Sequence, residues 1–227
     1  PEPVEFSSFV FLLFRAGSPQ ATHLFLLLYF VFLREAREKV LPRPNDSALI
    51  PGPGYCIIVG RREGMDMEAA GLSKTYHVRC LCEADIGQVY ALCHGNLQYY
   101  RYHPPLATED SIRADMRALP PGKDVRDKYY VGYFAGGGAP VAVMDLILGY
   151  PQEQTAFIGF FMVAAAYQGT GLGSALVDEA MEYLRSLGYT TLRLGVDKGN
   201  PQSLAFWKKN GFTQVDEGQY IVMERKL

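Results

Sequence analysis

The stretch Phe160-Phe161-Met162-Val163-Ala164-Ala165-Ala166-Tyr167-Gln168-Gly169-Thr170-Gly171-Leu172-Gly173-Ser174 constrains this chain more than any other. An apolar run meets glycines at every second position and then an amphipathic helix, predicted over Gly171 to Leu187, with Leu172, Leu176, Ala180, Leu184 and Leu187 on one stripe. Such a helix has to lay its stripe on a sheet. The glycines let a backbone loop come close to a ligand, and the helix N-terminus behind them presents unpaired N–H groups and a partial positive charge. A phosphate cradle and a plain strand-to-helix turn both fit that pattern. The spacing argues against nucleotide loops. No lysine follows, as a mononucleotide P-loop requires. The glycines read GxGxG rather than GxGxxG, and Thr190, Thr191 and Leu192 stand where a dinucleotide fold places its acid.

The flanking sequence supplies the sheet. Tyr76 to Cys82 reads as a strand, and Ala84 to His94 carries Ile86, Val89, Tyr90 and Cys93 at helical spacing. A second helix is expected after Thr108, with Glu109 and Asp110 in its first turn. Three strands follow, Lys128 to Phe134, Pro140 to Leu148 and Thr155 to Val163, the first two joined by Gly136-Gly137-Gly138 as an antiparallel hairpin. Beyond the glycine-rich junction come a strand from Thr191 to Val196 and a helix capped by Asn200-Pro201 and ended by Asn210-Gly211. Strands over Phe212 to Val215 and Tyr220 to Arg225 close the chain. The order β-α-α-β-β-β-α-β-α-β-β is an α/β (α+β) domain with a mixed, mostly antiparallel central sheet flanked by helices.

Residues 1–64 have another character. Leu24 to Leu33 is apolar but about half a membrane span, which takes roughly 20 residues. Lengthening it back to Phe6 forces Arg15, His23 and the break at Gly17-Ser18-Pro19-Gln20 into the bilayer. Glu2 and Glu5 precede the run and Arg34, Arg37 and Lys39 follow it, the reverse of a signal peptide. Leu41 to Gly54 is proline-rich and aperiodic. All methionines lie at or after Met65, and Arg61-Arg62 is what a purine-rich ribosome-binding site reads as. The expectation is a natural start at Met65 or Met67, with residues 1–64 translated from upstream DNA and 65–227 as the domain. A membrane-associated segment and a genuine part of the fold are the alternatives.

With 22 basic and 24 acidic residues and a net charge of -2, the chain has no excess of cations for a nucleic-acid backbone. Cys56, Cys80, Cys82 and Cys93 are too few and too clustered for a disulfide scaffold, and they lack the CxxC spacing of zinc knuckles. They read as small buried hydrophobes in a cytoplasmic protein, with no metal expected.

Gln168-Gly169-Thr170-Gly171-Leu172-Gly173 together with Asn200-Pro201-Gln202-Ser203-Leu204-Ala205-Phe206-Trp207-Lys208-Lys209-Asn210-Gly211-Phe212 resembles the GNAT family of N-acetyltransferases, two motifs in that family's order within a resemblance that runs from about Thr75 to Leu227. The resemblance implies acetyl transfer from acetyl-coenzyme A to a small-molecule amine, in a cleft between two parallel strands. By position, Phe161, Met162 and Val163 would meet the pantetheine and the acetyl carbonyl, with the backbone N–H near Met162 as oxyanion donor. Gln168, Gly169, Thr170, Gly171, Leu172, Gly173 and Ser174 would hold the pyrophosphate, and Asn200, Ser203 and Phe206 the pantetheine arm.

Two departures stand out. Trp207 occupies the place where the family commonly carries a tyrosine acid, and an indole cannot protonate a thiolate. A thiol of pKa about 8.5 nevertheless leaves without help. Phe157 to Phe161 also offers no carboxylate as base, whereas deprotonating a lysine-like amine near neutrality costs roughly 4–5 kcal/mol. Asp145, the one acid in Val141 to Leu148, is the candidate to bind or deprotonate the amine, unless it faces solvent or pairs with an arginine. Asn96 to Pro105 supplies Tyr99 and Tyr100 as a substrate wall, or as packing, and His103 as a base through water. A non-catalytic acyl-CoA-binding module and a membrane-tethered acetyltransferase are the competing readings, and a homodimer is left open.

Overall fold

A computed structural model of the protein describes residues 67–227. The readings of residues 1–64 lie outside the described residues. The strands are β1 (His77–Cys80), β2 (Lys128–Phe134), β3 (Ala142–Leu148), β4 (Thr155–Val163), β5 (Thr191–Asp197), β6 (Thr213–Glu217) and β7 (Tyr220–Lys226). The helices are α1 (Ile86–His94), α2 (Leu97–Tyr100), α3 (Glu109–Arg117), α4 (Leu172–Ser186) and α5 (Pro201–Lys209). One seven-stranded sheet runs β1-β2-β3-β4-β5-β7-β6. Its neighbours are antiparallel except β4 and β5, which are parallel. The predicted element order therefore holds, with α2 as an added single turn inside the expected 96–105 loop.

Local chemistry explains the boundaries. Thr108 Oγ1 accepts the Ser111 N–H at 3.1 Å while Ser111 Oγ accepts the Thr108 N–H at 3.0 Å, a reciprocal cap that starts α3. β1 stops short of the expected Cys82 because the Asp85 carboxylate accepts the Cys82 N–H at 2.8 Å and turns the chain into the 3-10 turn Glu83–Asp85. Cys82 is thus outside the strand.

Two faces of the sheet are packed. Leu172, Leu176, Val177, Ala180, Met181 and Leu184 of α4 bury against Met144, Leu146 and Leu148 of β3. The apolar stripe is wider than the sequence periodicity predicts, with Val177 and Met181 in it and Leu187 only partly buried. Truncating the fully buried Leu176 to alanine costs about 2–5 kcal/mol on this geometry. The opposite face takes Ile86, Val89 and Leu92 of α1 and Ile112 of α3 against Val143 and Met162.

One irregularity sets up everything that follows. Asp145 pairs with Phe160 but Leu146 pairs with Ile158, so Gly159 bulges out of β4. Before it, Ile158 points toward α4; after it, Phe161 and Val163 take that side while Phe160 and Met162 turn toward α1. The bulge re-aims the end of β4 just where that strand leaves β5.

Candidate active site

The pairing of β4 with β5 ends at Ile158 and Leu194. β4 stays on β3 as far as Val163, and β5 stays on β7 as far as Asp197, so the two parallel strands part like a wedge. A cleft of about 290 Å³ opens there, walled by the end of β4, the start of α4 and the inner side of α5. A volume near the lower limit of small-molecule sites suits a thin, extended ligand arm.

At one end of the cleft the 168–174 loop wraps the N-terminus of α4. Gly169 and Gly171 have φ of +75° and +91°, a region that favours glycine, and a side chain at either would meet nothing within 4 Å. Both residues are exposed, and neither backbone N–H donates to another group among the described residues, so these amides are bared. Gly171 has no side chain to cap α4; Thr170 Oγ1 accepts the Leu172 N–H at 3.4 Å, and the next N–H groups of the helix, at Gly173 and Ser174, face outward with the positive end of its dipole. Gly173 is small for another reason: a Cβ there would come within 3.2 Å of the Phe206 ring and 3.3 Å of Val163. Gln168 is tied down, its amide donating to Val163 O at 3.0 Å and to Asn96 Oδ1.

The structure brings most of the predicted residues together. Phe161, Met162, Val163, Gln168, Gly169, Gly171, Gly173, Ser174, Asn200, Ser203, Phe206 and Tyr99 all line the cleft. Asn200 is buried and caps α5, its Oδ1 accepting the Ser203 N–H at 3.0 Å. Thr170 and Leu172 are exceptions. The Thr170 hydroxyl is spent inside the loop, donating to Tyr167 O at 2.7 Å, and Leu172 is buried in the α4 core.

The candidates on the amine side divide. Tyr100 is not a wall residue; it is buried among α1 and α3 side chains, edge-on to Tyr99 with ring centres 5.0 Å apart. Asp145 does not line the cleft either. Its Oδ2 lies 2.8 Å from Lys128 Nζ, both side chains almost wholly buried, so its partner is a lysine on β2 rather than solvent or an arginine. Burial pushes the Asp145 carboxyl up, as the sequence reading expects, and Lys128 draws it part of the way back. His103 is also outside the cleft lining, but it stands beside the wall residue Tyr99, with Nδ1 2.9 Å from Asp197 Oδ1 at the end of β5.

Trp207 is buried beneath the cleft in an aromatic group, its ring centre 5.9 Å from Phe161, 4.9 Å from Phe206 and 5.0 Å from Phe212. Sequence reasoning missed Asn96, Gln98, Tyr167, Gln202 and Lys209, which complete the lining, and it missed Asp197. A signal existed for Asp197, since ligands gather beyond the carboxyl ends of parallel strands. For Asn96 there was none, because its contact with Gln168 depends on tertiary packing.

The acetyltransferase (GNAT) family model matches residues 90–212, more than half of the chain and both walls of the cleft. The chain belongs to the GNAT acetyltransferase family. Among curated GNAT relatives it is 38% identical over 80 residues to mycothiol acetyltransferase of Beutenbergia cavernae, a match covering 35% of this chain and 26% of that protein. It is 28% identical over 120 residues to an uncharacterized N-acetyltransferase, YvbK, of Bacillus subtilis, covering 52% of this chain and 77% of that one. The first match thus spans about a quarter of its relative. Among solved structures, an acetyltransferase from Thermus thermophilus superposes with a TM-score of 0.58 at 23% identity, over 67% of this chain and 97% of that one. The PaiA N-acetyltransferase of Thermoplasma acidophilum, in complex with coenzyme A, does so with 0.50 at 20%, over 67% and 99%. These share the GNAT fold.

Proposed function

We propose that the protein transfers acetyl from acetyl-coenzyme A to a primary amine of a small molecule, and that residues 65–227 form the catalytic domain of a cytoplasmic enzyme. The observation that carries this reading is the set of bared amides at Gly169, Gly171 and the start of α4, opening into the wedge between β4 and β5. Those amides suit a pyrophosphate, an anion needing many donors and no side chains. The edge of β4 that β5 leaves uncovered, from Phe161 to Val163 with Val163 O taken by the Gln168 amide, suits the amide-bearing pantetheine arm, with Asn200, Ser203 and Phe206 on the other wall.

Acetyl-coenzyme A supplies an activated thioester; the chain's own residues do the rest. The N–H near Met162, held by the bulged end of β4, favours the oxyanion of the tetrahedral intermediate over the ground-state carbonyl. Trp207 gives no proton to the departing thiolate and keeps the pocket floor apolar. Tyr99 would form the wall on the amine side, and His103 beside it, rather than Asp145, would take the amine proton, since Asp145 is sealed against Lys128.

Calorimetric titration of acetyl-coenzyme A into the full chain tests the donor half, and thiol release in the presence of primary amines tests the transfer. Micromolar binding with amine-dependent release is expected. A folded protein that binds no acetyl-coenzyme A would overturn the reading.

A further inference from the structure

Beside the cleft, at the end of β5 and next to the wall residue Tyr99, a carboxylate and an imidazole that are not themselves lining residues meet across 94 residues of sequence. Asp197 closes β5, beyond the last residue paired with β4, and its backbone is fixed opposite Tyr220 of β7. Its Oδ1 and Oδ2 lie 2.9 and 3.1 Å from His103 Nδ1. An ionised carboxylate only accepts hydrogen bonds, so Nδ1 carries the proton and Nε2 is left with its lone pair. The other side of the ring is held as well. The Tyr99 ring lies 5.3 Å away, and the backbone N–H of His103 donates to the Tyr99 carbonyl at 3.2 Å, which fixes the main chain that carries the ring. Tyr99 is itself a cleft wall and stands edge-on to Phe160, immediately before the Phe161 to Val163 edge. The titratable groups set against the imidazole are thus Asp197 from β5 and Tyr99 from α2. The His103 and Asp197 side chains are each mostly covered yet still reach solvent.

We propose that Asp197 is a positioning residue that holds His103 in the Nδ1–H tautomer, so that Nε2 receives the proton of the incoming ammonium, directly or through one water. The proposal rests on the acetyl-transfer reading above. The ammonium gives one proton to Nε2, and Asp197 stays ionised beside the imidazolium. The freed lone pair forms the N–C bond to the acetyl carbonyl carbon, and the C–S bond breaks with its electron pair on sulfur. The second nitrogen proton neutralises the thiolate through water, and the proton on Nε2 passes to solvent. Ammonium and thioester thereby become amide, thiol and one proton.

The test uses the full chain, acetyl-coenzyme A and two amines, 2-phenylethylamine, an ammonium near neutral pH, and aniline, which is already a free base there. In Asp197→Asn and His103→Gln, kcat/KM for 2-phenylethylamine should fall on the order of a hundredfold, the size of a general-base contribution. KM for acetyl-coenzyme A should stay, aniline should lose less than about threefold, and the loss with 2-phenylethylamine should shrink as pH rises and the free amine accumulates. Asp197→Glu should recover part of the rate. Equal losses with both amines, or none with either, would overturn the proposal in favour of a strap that merely ties the loop to β5. Nitrogen-detected spectra of the imidazoles give a readout independent of turnover: a proton on Nε2 of His103 in the native chain would also overturn it. If the chain binds acetyl-coenzyme A but acetylates neither amine, the transfer reading fails first and the proton-acceptor role falls with it, whatever the tautomer.

Discussion

Asp145 and Asp197 sit on strands of the same sheet, each within hydrogen-bond distance of one nitrogen, and they illustrate opposite uses of a buried acid. The Asp145–Lys128 pair joins the middle of β3 to the start of β2, with 4–5% of either side chain exposed. Nothing diffusible reaches it, and one carboxylate oxygen, Oδ1, has no partner among the described residues. The Asp197–His103 pair lies past the point where β4 and β5 separate, with 15–20% exposed. Sequence context alone favours Asp145, since an acid among Val, Met, Leu and Ile looks perturbed. On the acetyl-transfer reading, position along a strand relative to the place where a sheet opens is the better guide to chemistry.

The sealed pair should give the largest effect when broken. Asp145→Asn leaves the Lys128 ammonium buried without a counter-charge, and a loss of about 3–5 kcal/mol is expected in urea unfolding. Replacing both partners, Lys128→Met with Asp145→Leu, should restore most of that stability and keep acetyl-coenzyme A binding. A double variant that folds but binds no acetyl-coenzyme A would erase the distinction between the two acids. The open end responds differently. Gly171→Trp puts a bulky side chain at φ +91° across the bared amides, and calorimetry should show acetyl-coenzyme A binding weakened by about a hundredfold or more, with the helical circular dichroism retained.

These two regions were also unequally legible. The cradle is built from backbone, and backbone freedom is written locally as Gly169, Gly171 and Gly173, so a single segment betrayed it. The α4 stripe, the Asn200 cap and the β2–β3 hairpin were readable for the same reason, because each depends on neighbours within a few residues. The end proposed for the amine is built from side chains on or next to α2, β4 and β5. No spacing in the sequence links His103 to Asp197 or Lys128 to Asp145, and the bulge at Gly159, which decides what Phe160 and Phe161 face, shows only in the register with β3. Tyr100 misled for a related reason, since a tyrosine beside a wall residue points the other way on a helical turn and becomes core.

A third acid sharpens the comparison at a smaller scale. Asp85 accepts two hydrogen bonds from Arg79, at 2.7 and 2.8 Å, and one from the Cys82 N–H. Its carboxyl is held below the usual range, chiefly by the hydrogen bonds from Arg79, against the opposing effect of burial. A depressed folded value means that the stabilisation is complete above the unfolded pKa, about 3.9, and is lost as pH falls through the folded value. Asp145 runs the other way, its raised value disfavouring the fold as pH rises from the unfolded pKa toward the folded one. Asp85→Asn should cost about 1–3 kcal/mol near neutral pH and flatten the acid limb of the stability curve below pH of about 4. Asp145 variants should leave that limb as steep or steeper.

The smallest effect belongs to Lys209, the cation at the end of α5 that lines the cleft. It is an exposed ammonium lining the same cleft as the bared amides, and an exposed charge acts through water and salt. Lys209→Ala should weaken acetyl-coenzyme A binding by no more than about fivefold at low ionic strength, and by less as salt is raised, a difference read from calorimetry at two salt concentrations. The amides should hold the anion with little dependence on salt, because their dipoles are fixed and close to it. A Lys209→Ala loss as large as that of Gly171→Trp would shift the anion site from the backbone of the loop to the side chains of α5.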